Sequence, residues 1–250
     1  MQELASHGYI VIAIQHTYGA MLTVFPDGFV APNNPAALPS GAPEAEYDLA
    51  ARKLVAQWAE DIDYTLNAFA DLNTNDPSGR FTGLLDLEKI GIMGHSTGGG
   101  ATLQFCATDP RCQAGLTMDA FMTPVAETVL DNSARQPFLF LFSQRWADDI
   151  GSKNNRLFAR FYQNLLQPAP VVTLLGTTHY DFSDLPALSP LAPQLGLKGP
   201  LNGARVQKII NDYTLAFFDL HFKNSPTTLF DGPNAAYPEL RYEQQKNILP

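Results

Sequence analysis

Short apolar runs recur along the chain at intervals too long for hairpins: Tyr9–Ile14, Ile90–Met93, Ala114–Met118, Phe138–Phe142 and Val171–Leu175. Each is strand-length, rich in β-branched or aromatic residues, and apolar on both faces. That is the pattern of strands buried in a parallel sheet. Between several of these runs the period changes. Over Glu46–Leu72, the residues Val55, Trp58, Ile62, Leu66 and Phe69 recur at spacings of three and four, which predicts one long amphipathic helix. Leu157–Leu166 and Arg205–Phe222 predict two more, and Ala101–Phe105 is compatible with another. Alternation of strand and helix predicts a single α/β domain over residues 1–250, with a mostly parallel central sheet flanked by helices.

Two stretches break the pattern. Residues 23–45 carry repeated prolines with no clear period, and residues 181–203 contain the apolar Leu-Pro-Ala-Leu-Ser-Pro-Leu. Long loops inside a compact domain are commonly functional, and both begin near the carboxyl end of an expected strand. They are therefore expected to form cap or pocket walls.

Composition narrows the function classes. A net charge of −9 and a pI near 4.9 argue against nucleic acid and anionic membrane surfaces, and suit an uncharged small-molecule substrate. The apolar run nearest the start is only strand-length, so no integral membrane segment is expected. No basic region with a cleavage site precedes it, hence no signal peptide in the chain as given. Secretion would need an upstream segment, and the sequence does not assign a compartment. Cys106 and Cys112 flank an expected helix-to-strand turn. They are either a short disulfide or two half-buried thiols.

The candidate chemistry begins behind Ile90–Met93, at Gly94-His95-Ser96-Thr97-Gly98. This is G-x-S-x-G, the nucleophile elbow of the α/β-hydrolases. A serine hydroxyl becomes a useful nucleophile when a tight strand-to-helix turn holds it out beside a base. Strand and helix then approach so closely that Gly94 and Gly98 are expected to remove clashing side chains, with Gly99 and Gly100 giving the helix room. A structural glycine turn is the alternative, but an apolar strand before and a helix after favour Ser96 as nucleophile.

The base must come from one of five histidines. His7 and His221 fall in expected helices, and His95 is expected to pack, pointing away from the Ser96 hydroxyl. His16, with Tyr18 nearby, is a candidate for the substrate pocket, yet it precedes Ser96. His179 follows the last expected strand, where the chain order Ser…Asp…His places the base. Position alone leaves the acid open. Asp119 follows Ala114–Met118, whereas Asp148 and Asp149 follow Phe138–Phe142, and Asp86, Asp181 and Asp184 look like solvated loop charges.

The segments around Asp119 (Met118-Asp119-Ala120-Phe121-Met122-Thr123-Pro124) and His179 (His179-Tyr180-Asp181-Phe182-Ser183-Asp184) resemble the acid and base segments of platelet-activating factor acetylhydrolases. The spacings from Ser96 to both, Leu4-Ala5-Ser6-His7-Gly8-Tyr9 and Val24-Phe25-Pro26-Asp27-Gly28 are similar to that family too. The resemblance covers nearly the whole chain and includes bacterial members that look like general esterases or lipases. It implies an α/β-hydrolase fold, Asp119 as triad acid, and hydrolysis of short-acyl or phospholipid-like esters through an acyl-enzyme. The elbow Gly-His-Ser-Thr-Gly-Gly-Gly also resembles that of cutinase-like polyester hydrolases, a relation that would move the acid to Asp148 or Asp149.

The Thr97 N–H is one expected oxyanion donor. The second normally lies after an earlier strand, which the resemblance places upstream of residue 1. The sheet is accordingly expected to be N-terminally truncated, with a missing strand between Tyr9–Ile14 and Ile90–Met93. Homo-oligomerisation through the exposed edges is one way to fill it. No metal or organic cofactor is implied. A non-catalytic hydrolase-fold binding protein is the reading from a different class.

Overall fold

The computed structural model describes residues 1–132 and 134–243, so residue 133 and residues 244–250 of the expected domain lie outside it. In chain order the elements are helix α1 (Gln2–Ser6), the hairpin strands β1 (Leu22–Val24) and β2 (Val30–Pro32), and the long helix α2 (Glu44–Thr74). Strand β3 (Gly91–His95), helix α3 (Thr97–Cys106), β4 (Ala114–Met118), α4 (Glu127–Asp131) and β5 (Phe138–Ser143) follow. The chain continues through α5 (Gln144–Asp148), α6 (Lys153–Tyr162) and β6 (Val171–Leu174), then the 3-10 turns His179–Phe182 and Leu185–Ala187, then α7 (Gly203–Lys223) and β7 (Leu240–Tyr242).

The main sheet has five strands in the order β3-β4-β5-β6-β7. The first four pair in parallel and β7 closes the far edge antiparallel. Period-two alternation explains how β5 fills both faces. Phe138, Phe140 and Phe142 enter a core cluster with Val55 and Ile62 of α2, Leu103 of α3 and Phe158 and Phe161 of α6. Leu139 and Leu141 point the other way, into a cluster with Leu116, Val172 and the α7 residues Tyr213 and Phe217. Each face is covered by helices, as a parallel sheet requires. The expected stripe of α2 faces the first cluster: Val55 and Ile62 are buried, Trp58 and Leu66 pack against it, and Phe69 stands edge-on to Phe81.

Several expectations need correction. Tyr9–Ile14 is not a strand. Among the described residues no backbone ladder forms beside it, and Ile10 and Ile12 are exposed while Tyr9 and Val11 lean on the α7 cluster. Apolar residues guide burial, but a strand exists only where a neighbour accepts its hydrogen bonds. On the same side, β3 pairs with β4 alone among the described residues. Helix α6 starts earlier than expected because the Ser152 side chain accepts the Asn155 N–H and caps it. The first proline-rich stretch contains the β1–β2 hairpin, and the second opens with the two 3-10 turns. Cys106 and Cys112 form a disulfide that ties the end of α3 to the start of β4. No helix among the described residues is long and apolar enough to cross a membrane.

Candidate active site

Ser96, Asp119 and His179 follow β3, β4 and β6 directly or by a short loop, and Ser143 ends β5, so four adjacent parallel strands deliver their carboxyl ends to one place. Such sheets bind ligands at that end. Ser96 sits between β3 and α3 with φ 55° and ψ −118°, a conformation that non-glycine residues rarely adopt. Surrounding bonds hold it there: its N–H donates to the Met118 carbonyl at 2.9 Å and its carbonyl accepts the Phe121 N–H at 2.9 Å. Strain of this kind costs about 1–3 kcal/mol and persists only where neighbours over-determine it.

The glycines around Ser96 have unequal duties. A Cβ on Gly94 would lie 2.2 Å from the Gly98 carbonyl oxygen, and one on Gly100 would lie 2.6 Å from the Phe121 carbonyl oxygen. On Gly99 it would meet the Ala120 Cα at 2.9 Å. On Gly98 the nearest atom, in the Trp58 ring, is 3.9 Å away, an ordinary contact. The expected mutual clash of Gly94 and Gly98 is thus one-sided. Gly98 contributes its backbone, and of these two glycines only Gly94 must lack a side chain.

The His179 ring bridges the other two groups. Its Nε2 lies 3.0 Å from the Ser96 Oγ and its Nδ1 3.1 Å from the Asp119 Oδ2. Asp119 is buried at 1% exposure, with φ 44°. The Ser143 N–H and hydroxyl donate to its two oxygens, each at 2.6 Å. A buried carboxylate needs such donors, and here they also aim it at the imidazole.

His179 opens a 3-10 turn whose capping box joins Thr178 and Asp181. Asp181 is not a solvated charge. It is buried and accepts the Thr178 N–H at 2.7 Å and the Gly199 N–H at 2.8 Å, which fastens the histidine loop to the segment before α7. Neither Ser143 nor Asp181 emerged from sequence reasoning. The signal for Ser143 is a lone hydroxyl ending the run Phe-Leu-Phe-Leu-Phe; Asp181 signals itself only through the Thr-x-x-Asp capping spacing.

Thr97 is the first residue of α3, where a helix leaves its N–H groups without intrahelical acceptors. His95 does not bond Ser96. Its ring lies 4.4 Å from that of His179, centre to centre. Burial, then the neighbouring His179, push His95 down to about 3, partly offset by the His179 backbone. His16 and Tyr18 take no part in the hydrogen bonds that join Ser96, His179 and Asp119. His16 Nδ1 lies 2.7 Å from the Asp61 Oδ2, and its ring stacks on Trp58 at 4.0 Å. Tyr18 and Asp61 border a cavity of about 910 Å³ that also touches residues 34, 36 and 37, but none of Ser96, Asp119 and His179. Asp148 bonds Arg241 and Gln144, which hold it below the usual carboxylate range.

As for metals, donor atoms of His95, Asp119 and His179 fall within 4.8 Å of one another. Both nitrogens of His179 and both oxygens of Asp119 are already engaged in hydrogen bonds, and His95 Nε2 has no partner among the described residues.

Residues 1–228 match the family described as platelet-activating factor acetylhydrolase, isoform II. The chain belongs to that family. Curated members include the platelet-activating factor acetylhydrolases of Cavia porcellus, 27% identical over 86% of this chain and 51% of that protein, and Bos taurus, 29% identical over 88% and 52%. The chain spans about half the length of the curated relatives it matches. A solved ferulic acid esterase from Streptomyces cinnamoneus superposes with a TM-score of 0.78 at 24% identity, covering 96% of this chain and 67% of that one. The fold is that of an α/β-hydrolase, as the family resemblance implied.

Proposed function

We propose that the chain is a serine carboxylic-ester hydrolase that acts through Ser96, His179 and Asp119 on short-acyl or phospholipid-like esters. The observation that carries this reading is the unbroken hydrogen-bond path from the Ser96 Oγ through both ring nitrogens of His179 to the buried Asp119. His179 Nε2 takes the Ser96 proton as Oγ attacks the ester carbonyl. Asp119, at Nδ1, fixes the tautomer and stabilises the imidazolium that forms. The Thr97 N–H meets the developing oxyanion. His179 then protonates the leaving alcohol, and water, activated by the same base, releases the acid. Family membership supports the reaction class. The relatives named as platelet-activating factor acetylhydrolases favour a phospholipid-like ester with a short acyl group, and the ferulic acid esterase is a structural neighbour of related chemistry.

The test is labelling by a fluorophosphonate together with turnover of p-nitrophenyl esters of increasing acyl length. Wild-type protein is expected to label on Ser96 and to prefer acetyl over decanoyl ester. Ser96→Ala abolishes labelling, and His179→Ala slows it about 10⁴-fold or more. A folded wild-type chain that neither labels nor turns over any ester overturns the reading in favour of a non-catalytic binding protein.

A further inference from the structure

His95 stands immediately before the nucleophile, yet the hydrogen-bond path does not use it. Its ring lies against that of His179, 4.4 Å between centroids and tilted by 42°, with Phe182 on the same ring at 6.0 Å. Its Nε2 is buried and has no hydrogen-bond partner among the described residues. A buried polar atom without a partner is costly, so hydrogen bonding through Nε2 does not explain this side chain. What it offers His179 is a contact with the backbone of that residue and a flat ring beside its imidazole.

His179 needs a flat neighbour. It sits on a short turn with about a third of its side chain exposed, and its χ2 torsion is of the broad sp³–sp² kind that has no deep rotamer wells. Bonds at Nδ1 and Nε2 both lie in the ring plane. A rotation about χ2 that tilts this plane weakens both together. Packing against one face is what resists that rotation. Resting on the proposed esterase reading, we infer that His95 is a positioning residue whose ring face holds the His179 imidazole in the plane that joins Ser96 to Asp119. Because residues 95 and 96 are consecutive, the strand end that presents the nucleophile also presents the surface against which the base is set. The two are kept in register by one peptide bond rather than by a distant contact. A neutral ring also suits the imidazolium that forms during turnover, since a second charged imidazole 4.4 Å away would repel it. Burial and the proximity of His179 keep His95 neutral at neutral pH.

The experiment compares His95→Phe, His95→Gln and His95→Ala for fluorophosphonate labelling rate, kcat and KM on p-nitrophenyl acetate, with thermal unfolding as the check of fold. The expected result is that His95→Phe keeps most of the wild-type kcat, while His95→Gln and His95→Ala lose roughly 10- to 100-fold in kcat and labelling rate with KM within about twofold, the size of a small misplacement of a catalytic group. If His95→Ala does not fold, His95→Leu, which fills the space without a flat face, takes its place with the same expected loss. Full activity in His95→Ala or His95→Leu overturns the inference. So does activity retained by His95→Gln but not His95→Phe, which would assign the role to a hydrogen bond. Failure of the wild-type protein to label Ser96 counts against the esterase reading instead, and the two failures are distinct.

Discussion

His179 meets Asp119 at 3.1 Å and His16 meets Asp61 at 2.7 Å, in both cases Nδ1 against a carboxylate oxygen, and in both cases beside an aromatic ring. The shorter contact belongs to the pair with no serine. What separates them is the surroundings. Asp119 is buried, with Ser143 donating to both of its oxygens; the Asp61 side chain is 31% exposed and, among the described residues, receives only a long bond from Gln57, at 3.3 Å, besides His16. Beyond His179 lies the strained Ser96; His16 stacks on Trp58, next to a cavity that none of the three site residues borders. An imidazole near a carboxylate is therefore weak information. A desolvated, fully bonded acid and a third group on the far ring nitrogen are what give the first pair its chemical meaning.

The largest effect expected from breaking this comparison is kinetic. Asp119→Asn keeps the shape of the site but favours the wrong His179 tautomer, and should lower kcat on p-nitrophenyl acetate about 10⁴-fold. Asp148→Asn and Asp149→Asn should stay within about threefold of wild type, as surface substitutions do. Loss confined to Asp148→Asn or Asp149→Asn would move the acid to that loop and favour the cutinase-like reading.

A smaller contrast lies in the ring neighbours, because His95 titrates and Trp58 does not. Burial lowers His95 from the ordinary 6.5 to about 3 in the folded chain. Between those values the unfolded chain binds a proton that the folded one refuses. Stability is then fully present above pH 6.5 and is lost as pH falls towards 3. At pH 4.5 this amounts to about 3 kcal/mol. Urea unfolding of wild type and His95→Phe at pH 7 and pH 4.5 measures it, since the acid-labile carboxylates cancel in the difference. His95→Phe should lose less stability on acidification, whereas equal losses would show that His95 is not held neutral.

Which of these residues the sequence announces follows from how local their signals are. Ser96 and His179 are marked by a glycine pattern and by chain order after a strand, both readable within a few residues. Asp119 is not. Several carboxylates follow strands, and only the family resemblance separated it from Asp148 and Asp149; its distinguishing partner, Ser143, comes from the next strand. Asp181 reads as solvent-facing because its acceptors are filled by backbone N–H groups, one of them from the distant Gly199, and the Thr-x-x-Asp capping spacing is the one local sign of them. In the fold, β5 could be read from Phe-Leu-Phe-Leu-Phe, since burial on both faces follows from composition alone. Tyr9–Ile14 has equally apolar residues but no ladder beside it among the described residues, and β7 is too short, at Leu240–Tyr242, to show a period. Pairing is a property of neighbours, and a linear pattern does not contain it.

The smallest effect belongs to the second pair. Asp61→Asn keeps the side chain's volume and its bond from Gln57, and removes only the carboxylate charge opposite His16. The pair is partly exposed, so water and salt screen it, and pairs of this kind contribute about 0.2–1 kcal/mol. The unfolding free energy from urea titration at pH 6 should accordingly change by less than about 1 kcal/mol relative to wild type, with the difference shrinking in high salt, and fluorophosphonate labelling of Ser96 should proceed at the wild-type rate. A salt-independent loss of several kcal/mol would mean that the stacked His16 and Trp58 depend on Asp61 as a buried anchor, as His179 depends on Asp119. The two pairs would then differ in the serine alone, and desolvation of the acid would no longer distinguish them.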